Sequence, residues 1–146
     1  MKRQVFSLIS LLSLLSLLLA ADSAIAQRVH VRANVPFNFT VGNKVFSAGG
    51  YDIETNSPSS DNALLLRARD GHSSMIVMSN AAQTFKPADK NKLVFDRYGS
   101  QYFLAEIWVE GARLGRHLPM SSREKELAKD LAQNARQRVE IVASLY

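Results

Sequence analysis

The side chains best suited to chemistry are dispersed along this sequence. Its three histidines, His30, His72 and His117, fall in three separate segments. A metal site needs converging ligands, usually with one closely spaced pair. These positions offer none, so the histidines are expected at the surface and no metal ligand is assigned. Asp96 and Glu106 stand in an aromatic-rich stretch that holds the only tryptophan. Hydrolysis of a glycosidic bond needs two carboxyls facing one cleft, and plain alternation along a hairpin puts these two on opposite faces. Asp96, with Val94, Tyr98 and Phe103 around it, would have a raised pKa if buried. A carboxylate held by a turn or an arginine is the commoner outcome. Arg97 opposite Tyr102 suits a cation–π contact, worth about 0.5–1 kcal/mol when exposed. Ser121-Ser122 near Lys125 has the residue types of a Ser–Lys pair, but a serine followed three residues later by Glu124 is a helix capping box. The oxygen-rich NSPSSDN run at 56–62 includes Asp61 and Asn62, yet lacks the regular acidic spacing of a calcium loop. No G-x-S-x-G, H-E-x-x-H or phosphate-loop motif occurs. No catalytic or cofactor-binding residue is expected, and the chain reads as non-enzymatic.

The element that positions Asp96, Arg97, Tyr102 and Glu106 is the stretch Lys92 to Val109, KLVFDRYGSQYFLAEIWV. It reads as two strands joined at Gly99-Ser100, a two-residue hairpin link. Alternation gives one face of Leu93, Phe95, Arg97, Tyr102, Leu104, Glu106 and Trp108. The other holds Val94, Asp96, Tyr98, Gln101, Phe103, Ala105, Ile107 and Val109. Both faces are largely apolar, so the hairpin is expected to be central and covered on each side. Phe95, Arg97, Tyr102, Leu104 and Trp108 then form a candidate apolar strip for a ligand or partner: a glycan, a lipid or a protein. If the late helix lands on this strip, it is core instead.

Around this hairpin, residues Val29 to Val41 alternate strictly, with Pro36 breaking the polar side. Gly42-Asn43 is a tight turn that places Phe46 beside Phe39. Gly49-Gly50 permits a bend before a strand from Tyr51 to Thr55. Residues 56–62 are expected as a loop. Ala63 to Arg69 and His72 to Ser79 form a hairpin about Asp70-Gly71, with both faces apolar and buried. A helix over about 122–135 presents Leu127, Ala128, Leu131, Ala132 and Ala135 as its apolar stripe. Renewed alternation predicts a last strand over about 138–144. Short strands between turn signals indicate a mainly β fold: an antiparallel β-sandwich or flattened barrel with one C-terminal α-helix.

The N-terminus sets the expected compartment. Lys2 and Arg3, the apolar run Val5 to Leu19 and Ala24-Ile25-Ala26 make a cleavable export signal over residues 1–26. The apolar run is too short for a comfortable span of about 20 residues, so no membrane span is expected after cleavage. The remaining 27–146 reads as a single β-rich domain, periplasmic or extracellular, with 16 basic and 12 acidic residues. There is no cysteine, so the core must hold the exported domain without disulfides. The basic excess forms no concentrated stripe, which argues against a nucleic-acid partner.

The segments VPFNFTVGNKVFSAGGYDI, KLVFDRYGSQYFLAEIW and GRHLPMSSREKELA together resemble an uncharacterised family of small secreted acidobacterial proteins. That family's pattern runs VPFxFxVGxxxxPAGxY, then LxFxRYGxxYFLxxxW, then GRxLPxSxxExxxA. Ser47 stands where the family often has proline. The resemblance implies export from a bacterium and supplies no activity, cofactor or catalytic residue. The expected role is a secreted non-enzymatic envelope or extracellular module, binding or structural. One alternative is a carrier of a small apolar ligand, with a pocket near Trp108. Another is self-association by strand exchange through residues 27–35, whose apolar face would pair with a neighbour's sheet.

Overall fold

The structure, a computed structural model, describes residues 28–57, 60–130 and 136–146. The expected leader, Gln27, the tip of the 56–62 segment at 58–59 and helix positions 131–135 lie outside the described residues. The alternating N-terminal stretch becomes β1 (His30–Val35) and β2 (Phe39–Val41), separated at Pro36. After the Gly42 turn come β3 (Lys44–Phe46), β4 (Gly49–Ser57), β5 (Ser60–Ala68) and β6 (Ser74–Met78). Then follow β7 (Asn80–Gln83), β8 (Lys92–Tyr98), β9 (Gln101–Trp108) and β10 (Leu114–His117). The helix α1 (Ser122–Asp130) and the last strand β11 (Gln137–Leu145) complete the described chain.

The strands lie in the order β3-β2-β9-β8-β11-β1-β4-β5-β6. Every pairing is antiparallel except the short parallel one of β2 with β9 at Thr40 and Phe103. β10 pairs with both β9 and β7. Because β7 starts directly after Ser79, where β6 has just ended, the path of ladders returns to β9. The sheet is thus strongly curled, a flattened barrel with one helix near its C-terminus. At its opening, Lys44 Nζ donates to Ser74 O over 3.2 Å, joining edge strands β3 and β6. The Gly42 turn, with φ +58°, leaves room for the Met75 methyl, which would stand 3.1 Å from an added Cβ.

Side chains fill the inside. Val31, Val35, Ile53, Leu64, Leu66, Leu93, Phe95 and Ile107 are all essentially inaccessible. Phe39 stacks on its hairpin partner Phe46 at 5.6 Å and meets Tyr51 and Phe95 edge-on. Each such residue contributes roughly 1.5–3 kcal/mol by leaving water, which is how a chain without disulfides holds this shape.

Three expectations change. Residues 56–57 and 60–62 belong to β4 and β5 rather than to a loop, since the β4–β5 ladder extends to Ser57 and Ser60 through a register shift. β6 is not buried on both faces: Val77 and Met75 point inward, but Ile76 and Met78 are more than half exposed. The strand-exchange arm is an internal strand, with both edges of β1 taken by β4 and β11. Val29 is pinned to Thr55 as well, its N–H donating to Oγ1 and its carbonyl accepting the Thr55 N–H. Val31 to Ala33 therefore have neither edge free, and His30 to Val35 are paired along the β4 side throughout. Among the described residues, no helix is long and apolar enough to cross a membrane.

Candidate functional site

One extra residue decides where the chemistry lies. Along β8 and β9, Tyr98 faces Gln101, Arg97 faces Tyr102, Asp96 faces Phe103 and Phe95 faces Leu104; but Val94 faces Glu106. Ala105 is therefore a β-bulge, and its carbonyl accepts the Leu118 N–H at 2.8 Å. A bulge shifts the phase of alternation beyond it. Ile107 joins Leu93 and Phe95 in the core, while Glu106 and Trp108 move to the outer face with Val94 and Asp96. The two carboxylates expected on opposite faces share one face. The expected apolar strip is divided for the same reason. Phe95 and Leu104 point into the barrel at 0% and 5% exposure. Tyr102 stacks on Phe37 at 3.9 Å, and the Arg97 guanidinium lies 5.4 Å over the Tyr102 ring. Trp108 is on the other side of the sheet.

Trp108 lies across β10 at Gly115. A Cβ on Gly115 would stand 2.5 Å from the ring and 2.8 Å from the Ile107 carbonyl, so only glycine lets the indole rest there. The indole Nε1 donates to Glu106 Oε2 over 2.9 Å. The other Glu106 oxygen accepts from Arg138 Nη2 at 2.9 Å. β11 brings Arg138 opposite Asp96 and Glu140 opposite Val94, one diagonal step from Lys92, whose ammonium reaches it at 2.9 Å. The connection from β7 to β8 forms the far wall. Three backbone bonds pin it: Thr84 N–H to Arg113 O, Ala88 N–H to Ala112 O and Gly111 N–H to Ala88 O. Between this wall and the sheet is an open groove of about 330 Å³ beside Trp108. Its charged lining is Lys86, Lys92 and Arg138 with Asp89, Glu106 and Glu140.

The same outer face continues beneath α1. Ser121 caps this helix, accepting the Glu124 N–H on Oγ at 3.2 Å, and its carbonyl takes the Lys125 N–H. Glu124 points inward and is 5% exposed, whereas Leu127 and Ala128 are only half-buried. The helix covers the Asp96 and Tyr98 side, with Arg123 donating to Gln101 over 3.0 Å; no α1 residue lines the groove beside Trp108. Burial pushes Glu124 up to about 7, reinforced by the charge of Asp96 and opposed by the Ser121 N–H, Arg136 and Tyr98. Burial also raises Asp96, against the pull of Arg136 and Arg138, and raises the Tyr98 hydroxyl. Arg136 Nε and Arg138 Nε stand 3.2 and 3.5 Å from Asp96 Oδ1. These are ion pairs without hydrogen-bond geometry, since that oxygen and the Tyr98 hydroxyl accept or donate no hydrogen bond among the described residues.

Arg138 thus joins groove and helix cluster into one polar network. Of the residues in it, Asp96, Glu106 and Trp108 were singled out from sequence; Lys92, Arg138 and Glu140 were not. For Arg138 and Glu140 the signal is the polar half of the last strand's alternation, which reads equally well as a solvated face; Lys92 opens β8 and has no such signal. The histidines stay apart: His30 lies 3.9 Å from Glu54, His72 is exposed beyond the Asp70 turn, and His117 faces Glu106 on β10. No group of three His, Asp or Glu among the described residues can hold a metal ion. Asn62 is engaged elsewhere, its carbonyl accepting both the N–H and hydroxyl of Ser79. A second open groove includes Arg32 and Arg69, but Arg32 is committed to Asp52 through Nε at 2.7 Å and Nη2 at 3.0 Å. Compared with known proteins, the chain matches no family model, no curated protein and no solved structure.

Proposed function

We propose that the protein is an exported, non-enzymatic binding module that holds a small polar ligand in the groove beside Trp108. The observation that carries this reading is the convergence of three cations and three carboxylates around the only tryptophan. They stand on paired strands and a wall pinned by backbone bonds, the rigid support that a binding site needs. Two of the carboxylates, Glu106 and Glu140, are closed onto cations at 2.9 Å. That arrangement favours orienting a ligand over exchanging protons with it. An apolar-ligand carrier is less well supported, because Phe95 and Leu104 fill the interior and the groove is polar. Residence outside the cytoplasm rests on the Lys2-Arg3, apolar-run and Ala24-Ile25-Ala26 pattern.

The single tryptophan makes the test direct. Amino acids, short peptides, sugars and small anions are titrated while Trp108 fluorescence is followed, and hits are repeated on Lys92→Ala and Glu140→Ala. A ligand that shifts the emission of the native protein and is weakened about tenfold or more by either substitution, a loss of about 1.4 kcal/mol, supports the groove. If no compound moves Trp108, or if both variants bind as the native chain does, the groove is not the site.

A further inference from the structure

We infer that the acid cluster beneath α1 controls the groove through Arg138: loss of a proton from the cluster draws Arg138 off Glu106 and onto Asp96. The cluster is three titratable side chains from two elements. Glu124 of α1 is 5% exposed, and Asp96 and Tyr98 of β8 are 3% and 5% exposed. Burial disfavours the charged form of each, and it holds the Glu124 carboxyl up at about 7. The charged groups that face the cluster come from every neighbouring element. They are Arg136 and Arg138 at the head of β11, Glu106 of β9 and His117 of β10. On α1 itself, Arg123 is turned to Gln101 and Lys125 is exposed. Asp96 Oδ1 and the Tyr98 hydroxyl are buried without a hydrogen bond among the described residues. The centre of the cluster therefore has bonding capacity that its present arrangement does not use.

One shared residue ties the groove to this cluster. Arg138 stands between two carboxylates, with Nε 3.5 Å from Asp96 Oδ1 and Nη2 2.9 Å from Glu106 Oε1. The side chains of these acids are only 4% and 14% exposed, whereas those of Arg136 and Arg138 are 44% and 46% exposed. The arginines are thus the members free to move. While Glu124 is protonated, Arg136 serves Asp96 at 3.2 Å, and Arg138 is left to close on Glu106. Once Glu124 ionises, its charge lies beside that of Asp96, and Arg136 is the cation that opposes it. Arg136 then turns to Glu124. Asp96, buried and charged, keeps its compensation by taking Arg138, which is already within ion-pair distance. Glu106 is left with the indole Nε1, at 2.9 Å, as its donor. The groove therefore presents a closed Arg138–Glu106 pair below the transition and an open Glu106 above it. What this does to a ligand rests on the groove reading; the coupling itself does not.

Trp108 is the only tryptophan and is bonded to Glu106, so the protein alone reports the coupling. Emission of the purified protein is followed from about pH 5 to about pH 9, with far-ultraviolet circular dichroism confirming that the fold persists. The expected result is one emission transition with its midpoint at about 7. Glu124→Gln, which cannot ionise, removes it. Arg138→Gln removes it too, while the fall in stability that follows Glu124 ionisation remains. Arg136→Gln leaves Asp96 to Arg138 at every pH, so emission stays at the native protein's high-pH value. His117, paired with Glu106 across β10 and β9, is the control, because imidazoles as a class ionise in this range; His117→Gln keeps the transition. Flat emission in the native protein, a transition that survives Glu124→Gln or Arg138→Gln, or one that disappears in His117→Gln each overturns the coupling. None of these results bears on the groove reading, which ligand titration tests separately.

Discussion

Replacing Glu124 by glutamine should stabilise this protein above neutral pH and remove most of its pH dependence between about 5 and 7. Glu124 is the buried residue of α1, 5% exposed beneath a helix whose apolar residues are only half-covered. Its carboxyl is raised from 4.5 to about 7. The folded protein therefore binds a proton that the unfolded chain has already lost. Stability from this group is complete below about 4.5 and declines as pH rises to about 7, beyond which nothing more is lost. The interval corresponds to about 3 kcal/mol at about 1.4 kcal/mol per unit. Asp96 acts with the same sign, being raised by burial. Asp52 acts oppositely, because the Arg32 hydrogen bond lowers it from 3.8, and its loss falls at more acidic pH. Glutamine copies the shape of the protonated acid and still accepts a hydrogen bond from the Ser121 N–H. It loses the charge-assisted part of that bond, leaving a net gain of about 1–3 kcal/mol at about pH 8. For a domain of this size that is on the order of 5–10 °C in midpoint. Urea and thermal unfolding from about pH 5 to about pH 8 measure it, on the native protein and on Glu124→Gln. If native stability is level or rises over that interval and the variant is the weaker protein at about pH 8, Arg136 holds Glu124 ionised and the reasoning fails.

Other expectations are simpler to check. Gly115→Ala puts a methyl where the Trp108 ring lies, 2.5 Å away, and should cost about 1–3 kcal/mol while altering Trp108 emission; unchanged emission and stability would mean that the ring has somewhere else to go. Trp108→Ala, at a ring 9% exposed, should cost about 3–5 kcal/mol, read by urea unfolding. Exported protein should begin at Gln27 by intact mass, from the Ala24-Ile25-Ala26 motif, and an uncleaved chain in the membrane fraction would contradict this. Replacing His30, His72 and His117 together by glutamine should change the free energy of unfolding, read by urea, by no more than about 0.5 kcal/mol per site.

Local signals carried most of the architecture. The alternation from Val29 to Val41 with its break at Pro36, the Gly42, Gly71 and Gly99 turns, the Ser121 cap and the renewed alternation of β11 each depend on neighbours within a few residues. They are recovered as β1 to β3, the two hairpins, α1 and the last strand. Burial was harder. Ile76 and Met78 look like core by residue type, but no layer of described residues covers the outer face of β6. The same holds for the helix. Its apolar stripe was legible, yet the inward residue is Glu124, because the surface it meets is the Asp96 and Tyr98 side of β8. That surface was assigned correctly to one face; what lay on it could not be known until the hairpin's phase was fixed.

The phase itself turned on Ala105, and there the sequence held a clue that plain alternation passes over. A perfect two-residue period from Phe95 and Tyr102 forces Glu106 onto the core face beside Leu104, and Ile107 onto the polar one. Burying a lone carboxylate among Leu93, Phe95 and Leu104 costs several kcal/mol, of the order of about 2–7 for even a neutral polar group without partners. One inserted residue removes that cost and places Ile107 inward with the other large apolar side chains. The bulge also gives Glu106 two donors, Trp108 Nε1 and Arg138 Nη2, both at 2.9 Å. The residue that repairs the core is therefore the one that creates the groove. Without the slip at Ala105, Trp108 would be an interior side chain and Asp96 would have no second carboxylate on its face. With it, Trp108 and Glu106 join Asp96 on the outer face, beside Arg138 of β11, on strands whose opposite faces are too well packed to let them move apart.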